Sequence, residues 1–496
     1  MRRLPLLSAL VFVAGAATMA TEMSASRLLA PFFGASILVW ANIIGLILLY
    51  LAAGYVYGGR LADRHPSMRY LARLLLAAAA VIAVIPFVAE PILSAAVHAF
   101  AEVSVGVFLG SFFAVMALFS APVTLLGMAS PFAVRLAVTS VDAAGEAAGR
   151  MYALSTAGSL VGTFLPVAVL IPLIGTRRTM LATAALLAFA AVPALGRRYV
   201  VVPAAIAVAA LMPTGLVKPG AGVIWEGESP YQFIQVQKLA GGGRVLHLNE
   251  GWAEHSVWRP GSVLTGGYWD QFLLAPALQG GRTRSVAMVG YAGGTVGRAY
   301  GRFWPRIAIR GIELDAAVTE VGRRYFGLAS NPRVSVATAD GRTYLETHDR
   351  RYDAIFLDAF RQPYIPFYLT TQEFFSLVHD RLRPGGMVLA NVGRAPGDDR
   401  LPRAIAGTMA TRFASVYVWH ITDFNDIVAA FVRPTSRSLL ERRLAAVPRA
   451  LAGVAAAARS LEPVGPSSDP LTDDRAPVEW LTDQMIVRYA ASGAPG

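Results

Sequence analysis

Seven runs of about twenty residues, most of them free of charge, fill the first 217 positions, and they restrict this chain more than any other feature. Residues 4–20, 36–57, 70–89, 103–126, 152–174, 179–195 and 199–216 are each about long enough to cross a hydrocarbon core of roughly 30 Å as helix. A soluble core has no room for so many uninterrupted apolar stretches. The charge distribution agrees: residues 1–217 hold 13 basic and 6 acidic side chains, against 31 and 26 from Lys218 onward. Two solvents are implied, lipid for the first half and water for the second. The N-terminal run follows Arg2 and Arg3 and has small residues at Ala14-Gly15-Ala16, as a cleaved signal would, but six further runs make it a first transmembrane helix.

Arginine placement sets the expected orientation. Arg2, Arg3, Arg60, Arg64, Arg69, Arg73, Arg135, Arg150, Arg197 and Arg198 flank one set of helix ends, and only Arg27, Arg177 and Arg178 flank the other. The positive-inside rule places the N-terminus in the cytoplasm. Seven crossings would then leave the second half outside, whereas the chemistry read below draws on a cytosolic donor and calls for a cytoplasmic domain. Residues 199–216 are the weakest span, interrupted by Pro203 and Pro213. Gly58-Gly59-Arg60-Leu61-Ala62-Asp63-Arg64 resembles the cytoplasmic loop signature of major facilitator transporters.

The net charge of +12 does not mark a nucleic-acid binder, because the only lysines are Lys218 and Lys238 and the arginines form no stripe. With no cysteine, disulfide frameworks and thiolate metal clusters are excluded, and no histidine set with metal-ligand spacing is present. His247, His255 and His420 read as structural.

After residue 223 the periodicity changes. Residues 231–237 alternate as a strand, Gly241-Gly242-Gly243 turns, and residues 245–248 return, giving a β-hairpin. Strand-like 285–289, 307–313, 334–337 and 354–357 then alternate with helical 296–303 and 316–325, the signature of a parallel sheet with its ligand at the strand carboxyl ends. Gly290-Tyr291-Ala292-Gly293-Gly294 follows the first of these strands and opens a helix, where bare backbone and free N–H groups can meet a ligand. Glu313 ends the next strand, placed to accept from both hydroxyls of a ribose, and Asp315 follows it. Asp340-Gly341 ends the third, where a carboxylate can meet an adenine amino group, and Asp358 ends the fourth. The expected fold is a membrane α-helical bundle over 1–217, a leading β-hairpin segment over 218–280, and a Rossmann-like, methyltransferase-type α/β sheet of seven strands over 281–496. Residues 437–459 read as a surface helix rich in Arg and Ala.

The stretch from Glu228-Ser229-Pro230-Tyr231-Gln232 to Gly393 resembles the spermidine synthase (polyamine aminopropyltransferase) family in its membrane-fused version. The residues that carry the resemblance are that pentapeptide, Tyr268-Trp269-Asp270, the glycine turn, Ile312-Glu313-Leu314-Asp315, Asp340-Gly341-Arg342, the run Tyr352 to Asp358, and Leu382-Arg383-Pro384-Gly385-Gly386. The resemblance implies aminopropyl transfer from decarboxylated S-adenosylmethionine to a polyamine, with release of 5′-methylthioadenosine and no metal. It places Gly290, Gly293, Gly294, Glu313, Asp315, Asp340 and Gly341 at the nucleoside and Asp358 at the charged end of the sulfonium. Tyr268 and Asp270 fall near the acceptor amine, and Gln232, Arg361 and Tyr364 near the substrate. A multi-pass inner-membrane protein in contact with lipid and able to form a homodimer is expected, with its catalytic domain cytoplasmic.

Two departures bear on the reaction. The family's Asp inside the glycine turn is absent, and so is the Asp three residues beyond Asp358, where Ala359, Phe360 and Arg361 stand. Intact S-adenosylmethionine, cleaved or cyclised without an amine, is therefore a second reading. Methyl transfer, and a transporter with a nucleoside-sensing domain, stand behind it. Leu471-Thr472-Asp473-Asp474-Arg475-Ala476-Pro477-Val478-Glu479 resembles the tail of the same membrane-fused family, and its carboxylates are candidates for the missing amine site.

Overall fold

The computed structural model describes residues 3–34, 36–100, 106–212, 216–250, 253–360, 364–458 and 460–491. The chain divides into two compact units, residues 1–235 with 248–251, and residues 236–247 with 252–496. This boundary differs from the one expected at 217: the first strand and half of the second pack with the helices.

The first unit holds α1 (Arg3–Phe33), α2 (Ile37–Arg64), α3 (Met68–Ala99), α4 (Gly106–Gly127), α5 (Ala129–Ala137), α6 (Ala144–Leu165), α7 (Ile171–Leu195) and α8 (Val201–Leu211). Leu10, Ile43, Leu75, Ile82, Phe119, Phe132 and Leu187 are buried between them, whereas Leu48, Leu49, Phe87, Phe164, Leu173 and Phe189 face outward. An apolar exterior around an apolar core suits lipid. Among the described residues, five helical stretches are long and apolar enough to cross a membrane, the fifth running Ala144–Leu195. It breaks at Gly175, whose φ of 80° and ψ of 164° lie outside helical space, so two of the expected spans share it.

The seventh expected span is not a membrane-length helix. α8 has 11 residues, roughly 16 Å of rise at 1.5 Å per residue. Even so, the chain reaches the far end of the bundle: Lys218 Nζ donates to the Pro31 carbonyl 2.7 Å away, and Glu228 Oε2 accepts from Thr176 N at 2.9 Å. Both partners lie at the end formed by the α1 C-terminus and the Gly175 break. The opposite end carries Arg60, Arg64, Arg69, Arg73, Arg150, Arg197 and Arg198, with Arg135 paired to Asp63 at 3.1 Å.

α1 and α6 touch backbone to backbone. A Cβ on Gly158 would sit 2.0 Å from the Phe12 carbonyl oxygen, and one on Gly162 2.1 Å from that of Ala16. These glycines, four apart, form the small-residue face that close membrane-helix packing requires.

β1 (Val223–Glu228), β2 (Phe233–Lys238), β3 (Arg244–Leu248) and β4 (Glu254–Trp258) form a four-stranded sheet in that order, with β2 and β3 as the expected hairpin. The main sheet of the second unit is built from β5 (Ser285–Val289), β6 (Ala308–Glu313), β7 (Val334–Thr338), β8 (Tyr352–Leu357), β9 (Leu382–Gly393), β10 (Ser415–Thr422), β11 (Asn425–Phe431) and β12 (Glu462–Pro463). Their order is β12-β10-β11-β9-β8-β5-β6-β7. Seven strands were expected, and the eighth is the two-residue edge strand β12. β5 to β9 are parallel, and β11 runs antiparallel to β9. Every residue of β5 is buried, as befits a strand covered on both faces. β5 lies between β6 and β8, so the strand order reverses there and opens a crevice at its carboxyl end.

The expected helix over 437–459 is two helices, Arg437–Ala445 and Ala452–Ala457, separated at Pro448, which cannot continue a helix from within. It is a surface element with one apolar side: Leu440, Leu444, Leu451 and Ala455 join the core, while Arg437, Ser438, Glu441 and Arg442 stay exposed.

Candidate active site

The glycine turn sits at the end of β5, in the crevice. Gly290 has φ 80°, and a Cβ there would lie 2.3 Å from the Asp358 carbonyl oxygen, so no other residue fits. Ala292 takes φ 47°, uncommon without glycine. Gly293 N donates to Ser256 Oγ at 2.8 Å, tying the turn to β4, and Gly294 at φ 88° starts the helix Thr295–Phe303.

Tyr291 explains why the turn lacks a carboxylate: its side chain points into the core and is 3% exposed. Gly297 and Gly311 make room for it, since a Cβ on either would fall 1.8 Å from the Tyr291 hydroxyl or 2.5 Å from its Cγ. That hydroxyl has no hydrogen-bond partner among the described residues.

Glu313 holds the turn from the neighbouring strand. Its Oε2 accepts from Ala292 N at 2.8 Å and its Oε1 from Asp315 N at 3.0 Å. Burial pushes this carboxyl above the ordinary range, and the two backbone N–H groups pull it back. Asp315 is buried and caps the helix Ala316–Tyr325 through Ala317 N at 2.9 Å. It therefore shapes the loop beside Glu313. Asp340 caps the next helix, Gly341–Thr347, accepting from Thr343 N at 2.9 Å on Oδ1 while Oδ2 accepts from the Tyr368 hydroxyl at 2.9 Å. A Cβ on Gly341 would meet Val289 Cγ1 at 2.3 Å, so helix and strand pack without a gap.

Asp358 lies in a polar cluster at the ends of β8 and β9. Asn391 Nδ2 donates to its Oδ1 at 3.0 Å, and the Tyr268 hydroxyl donates to the same carboxylate. Asn391 Oδ1 in turn accepts from Asn425 Nδ2 at 3.0 Å. Burial drives the Asp358 carboxyl up to about 7, against these two donors, which favour the ionised form. Burial, and then the Asp358 charge, hold the Tyr268 phenol well above its usual value. The site thus brings together Asp358 and Tyr268 from the sequence-based set and adds Asn391 and Asn425, which that set lacked. Their signal was a polar residue ending the apolar run Met387-Val388-Leu389-Ala390, and the asparagine that opens the strand paired with it.

Other expected residues sit elsewhere. Asp270 is buried but engaged in its own loop, accepting from Thr265 N at 3.0 and 3.1 Å, Thr265 Oγ1 at 3.1 Å and Gly266 N at 2.8 Å. Its carboxylate closes that loop. Gln232 belongs to the first unit, where its carbonyl accepts from Ser229 N at 2.9 Å. Tyr364 donates to Asp483 at 2.5 Å, and Arg361 lies outside the described residues. Asp473 of the tail pairs with Arg342 at 2.6 Å. His247 bonds Gln237 at 3.2 Å and His420 bonds Asp426 at 3.0 Å, and neither forms a nucleophilic triad. Among the described residues, no group of three or more His, Asp or Glu side chains could hold a metal ion.

Residues 276–418 match the spermine/spermidine synthase domain, the segment that carries the glycine turn, Glu313, Asp340 and Asp358. This segment is thus similar to the spermidine synthase family. A probable polyamine aminopropyl transferase of Bifidobacterium longum is 30% identical over 299 residues, covering 54% of this chain and 64% of that protein. A polyamine aminopropyltransferase of Vibrio vulnificus is 31% identical over 121 residues, 24% of this chain and 40% of its own. Polyamine aminopropyltransferase 2 of Pseudomonas aeruginosa is 27% identical over 212 residues, 40% of this chain and 58% of its own. The chain spans less than two thirds of the length of each of these relatives.

Proposed function

We propose that this chain transfers the aminopropyl group of decarboxylated S-adenosylmethionine to an amine acceptor and releases 5′-methylthioadenosine. The observation that carries the reading is the Asp358 carboxyl, set at the strand-order reversal and bonded to the Tyr268 hydroxyl and Asn391. In this reading Glu313 holds the ribose hydroxyls and Asp340 the adenine amino group. The amine lone pair attacks the carbon bonded to sulfur, the C–S bond breaks with its electron pair going to sulfur, and a neutral thioether departs. The new N–C bond leaves the nitrogen with a proton to lose. Asp358, with a carboxyl near 7, is matched to accept it, and Tyr268 orients the carboxylate.

A second reading is favoured by Tyr291. With its ring in the core, the glycine turn offers no carboxylate to the donor's ammonium, which suits intact S-adenosylmethionine reacting without an acceptor. Incubating the detergent-purified protein with each sulfonium donor, with and without putrescine, and identifying products by mass decides between them. A longer polyamine plus methylthioadenosine is expected. Methylthioadenosine from the intact donor alone would establish the second reading, and S-adenosylhomocysteine would exclude both.

The ends of the bundle bear on the membrane side. The chain leaves the helices at the end opposite the arginine-rich turns, so arginines in the cytoplasm imply a soluble half on the other face. We propose this orientation for an inner-membrane protein in place of the cytoplasmic catalytic half expected from the sequence, and the donor is then met on that outer face.

A further inference from the structure

The tail segment around Asp473 is tied back to the nucleoside crevice by a continuous hydrogen-bonded chain. Arg342 Nη1 and Nη2 meet Asp473 Oδ1 and Oδ2 at 2.7 and 2.6 Å, a two-pronged pairing of guanidinium and carboxylate. Thr371 Oγ1 donates to Asp473 Oδ1 at 2.7 Å, Asp473 N donates to Glu373 Oε2 at 3.0 Å, and Gln372 N donates to the Leu471 carbonyl at 2.8 Å. The same Arg342 Nη1 donates to the Tyr368 carbonyl at 3.1 Å. The Tyr368 hydroxyl then reaches Asp340 Oδ2.

A single partly exposed ion pair contributes little to stability. This one is bidentate, shares its carboxylate with Thr371, and ends on the one carboxylate expected to read the base. Asp340 has acceptor sites left after Thr343 N and Tyr368, since an ionised carboxylate offers about four lone-pair directions. We propose that Asp473 is a positioning residue: through Arg342 and Tyr368 it fixes the orientation of Asp340 and thereby the preference of the crevice for a 6-amino purine. The inference rests on the nucleoside reading above, and it gives the tail a part in base selection.

The test is the ratio of affinities for 5′-methylthioadenosine and 5′-methylthioinosine, which differ at the 6-position, measured by calorimetry on the full chain in detergent. The wild type is expected to prefer the adenine compound at least tenfold. Asp473→Ala is expected to lower that ratio at least fivefold, chiefly by weakening the adenine compound, and Asp473→Glu to restore much of it. Tyr368→Phe, which removes one hydroxyl and keeps the ring, is expected to lower the ratio likewise and guards against a misfolded tail variant. Equal weakening of both nucleosides by Asp473→Ala would reduce the tail to a structural staple and overturn the proposal. An unchanged ratio in Tyr368→Phe would overturn it as well. A wild type that binds neither nucleoside would instead refute the nucleoside reading on which the proposal stands.

Discussion

Asp358 is the residue whose chemistry is most exposed to measurement. Its carboxyl is raised to about 7 in the folded protein from an ordinary 3.8, so the folded state holds a proton that the unfolded state releases. The associated stability is complete below pH 4 and is lost as pH rises through about 7. Asp358→Asn should therefore melt higher than the wild type at pH 8, with the gap closing towards pH 5 in a thermal scan. Turnover should fall on the order of 10²-fold, the usual contribution of a positioned proton acceptor. A positive sulfonium beside the carboxylate favours ionisation, so donor binding at pH 6 should release protons, read as a dependence of calorimetric heat on buffer ionisation enthalpy. Neutral methylthioadenosine should release none. Glu313 invites a simpler test. If its carboxylate accepts from two ribose hydroxyls, each bond worth roughly 1.5 to 3 kcal/mol, Glu313→Ala should weaken nucleoside binding at least tenfold. Unchanged affinity by calorimetry would remove it from the ribose.

At the scale of elements, the glycine turn shows how sequence and packing divide the work. Gly290, Glu313, Asp340 and Asp358 were legible because a parallel sheet presents its strand ends in a fixed order, and each carries a residue type suited to a polar ligand. Tyr291 was legible only as a missing carboxylate, since nothing local reveals that Gly297 and Gly311 leave a slot for its ring. Asn391 and Asn425 were missed because their partnership depends on the antiparallel register of β9 and β11, which pairs residues 34 apart. Asp270 misled because loop closure and amine binding call for the same carboxylate. The Tyr291 slot yields a cycle of variants. Gly297→Ala places a Cβ on the tyrosine hydroxyl and should cost about 1 to 3 kcal/mol in denaturant unfolding, the range of overpacked cores. Tyr291→Phe removes that hydroxyl, which has no partner among the described residues, and should be neutral or slightly stabilising. The double variant should recover part of the loss, and strict additivity would show that the two side chains do not meet.

For the whole molecule, two expectations collide: arginine-rich loops belong inside, and the proposed sulfonium donor calls for a catalytic half inside. The sequence could not settle the conflict, because residues 199–216 are too broken by proline to count as a span or to dismiss as one. The bundle shifts the balance. α8 is short, yet Lys218 and Glu228 bond to Pro31 and Thr176 at the end away from Arg60, Arg64, Arg197 and Arg198. Whatever path residues 199–216 take, the chain has changed ends by Lys218. Placing the soluble half in the cytoplasm would leave most of the flanking arginines outside, against the bias that orients multi-pass proteins. Because the chain has no cysteine, single thiols report sidedness without background. Ser67→Cys, exposed at the arginine-rich end, and Ser438→Cys, exposed on the second unit, can each be treated with a membrane-impermeant maleimide on right-side-out spheroplasts. Ser438→Cys should label at once, and Ser67→Cys only after permeabilisation. The reverse pattern would place catalysis in the cytoplasm and make this bundle an exception to the arginine rule.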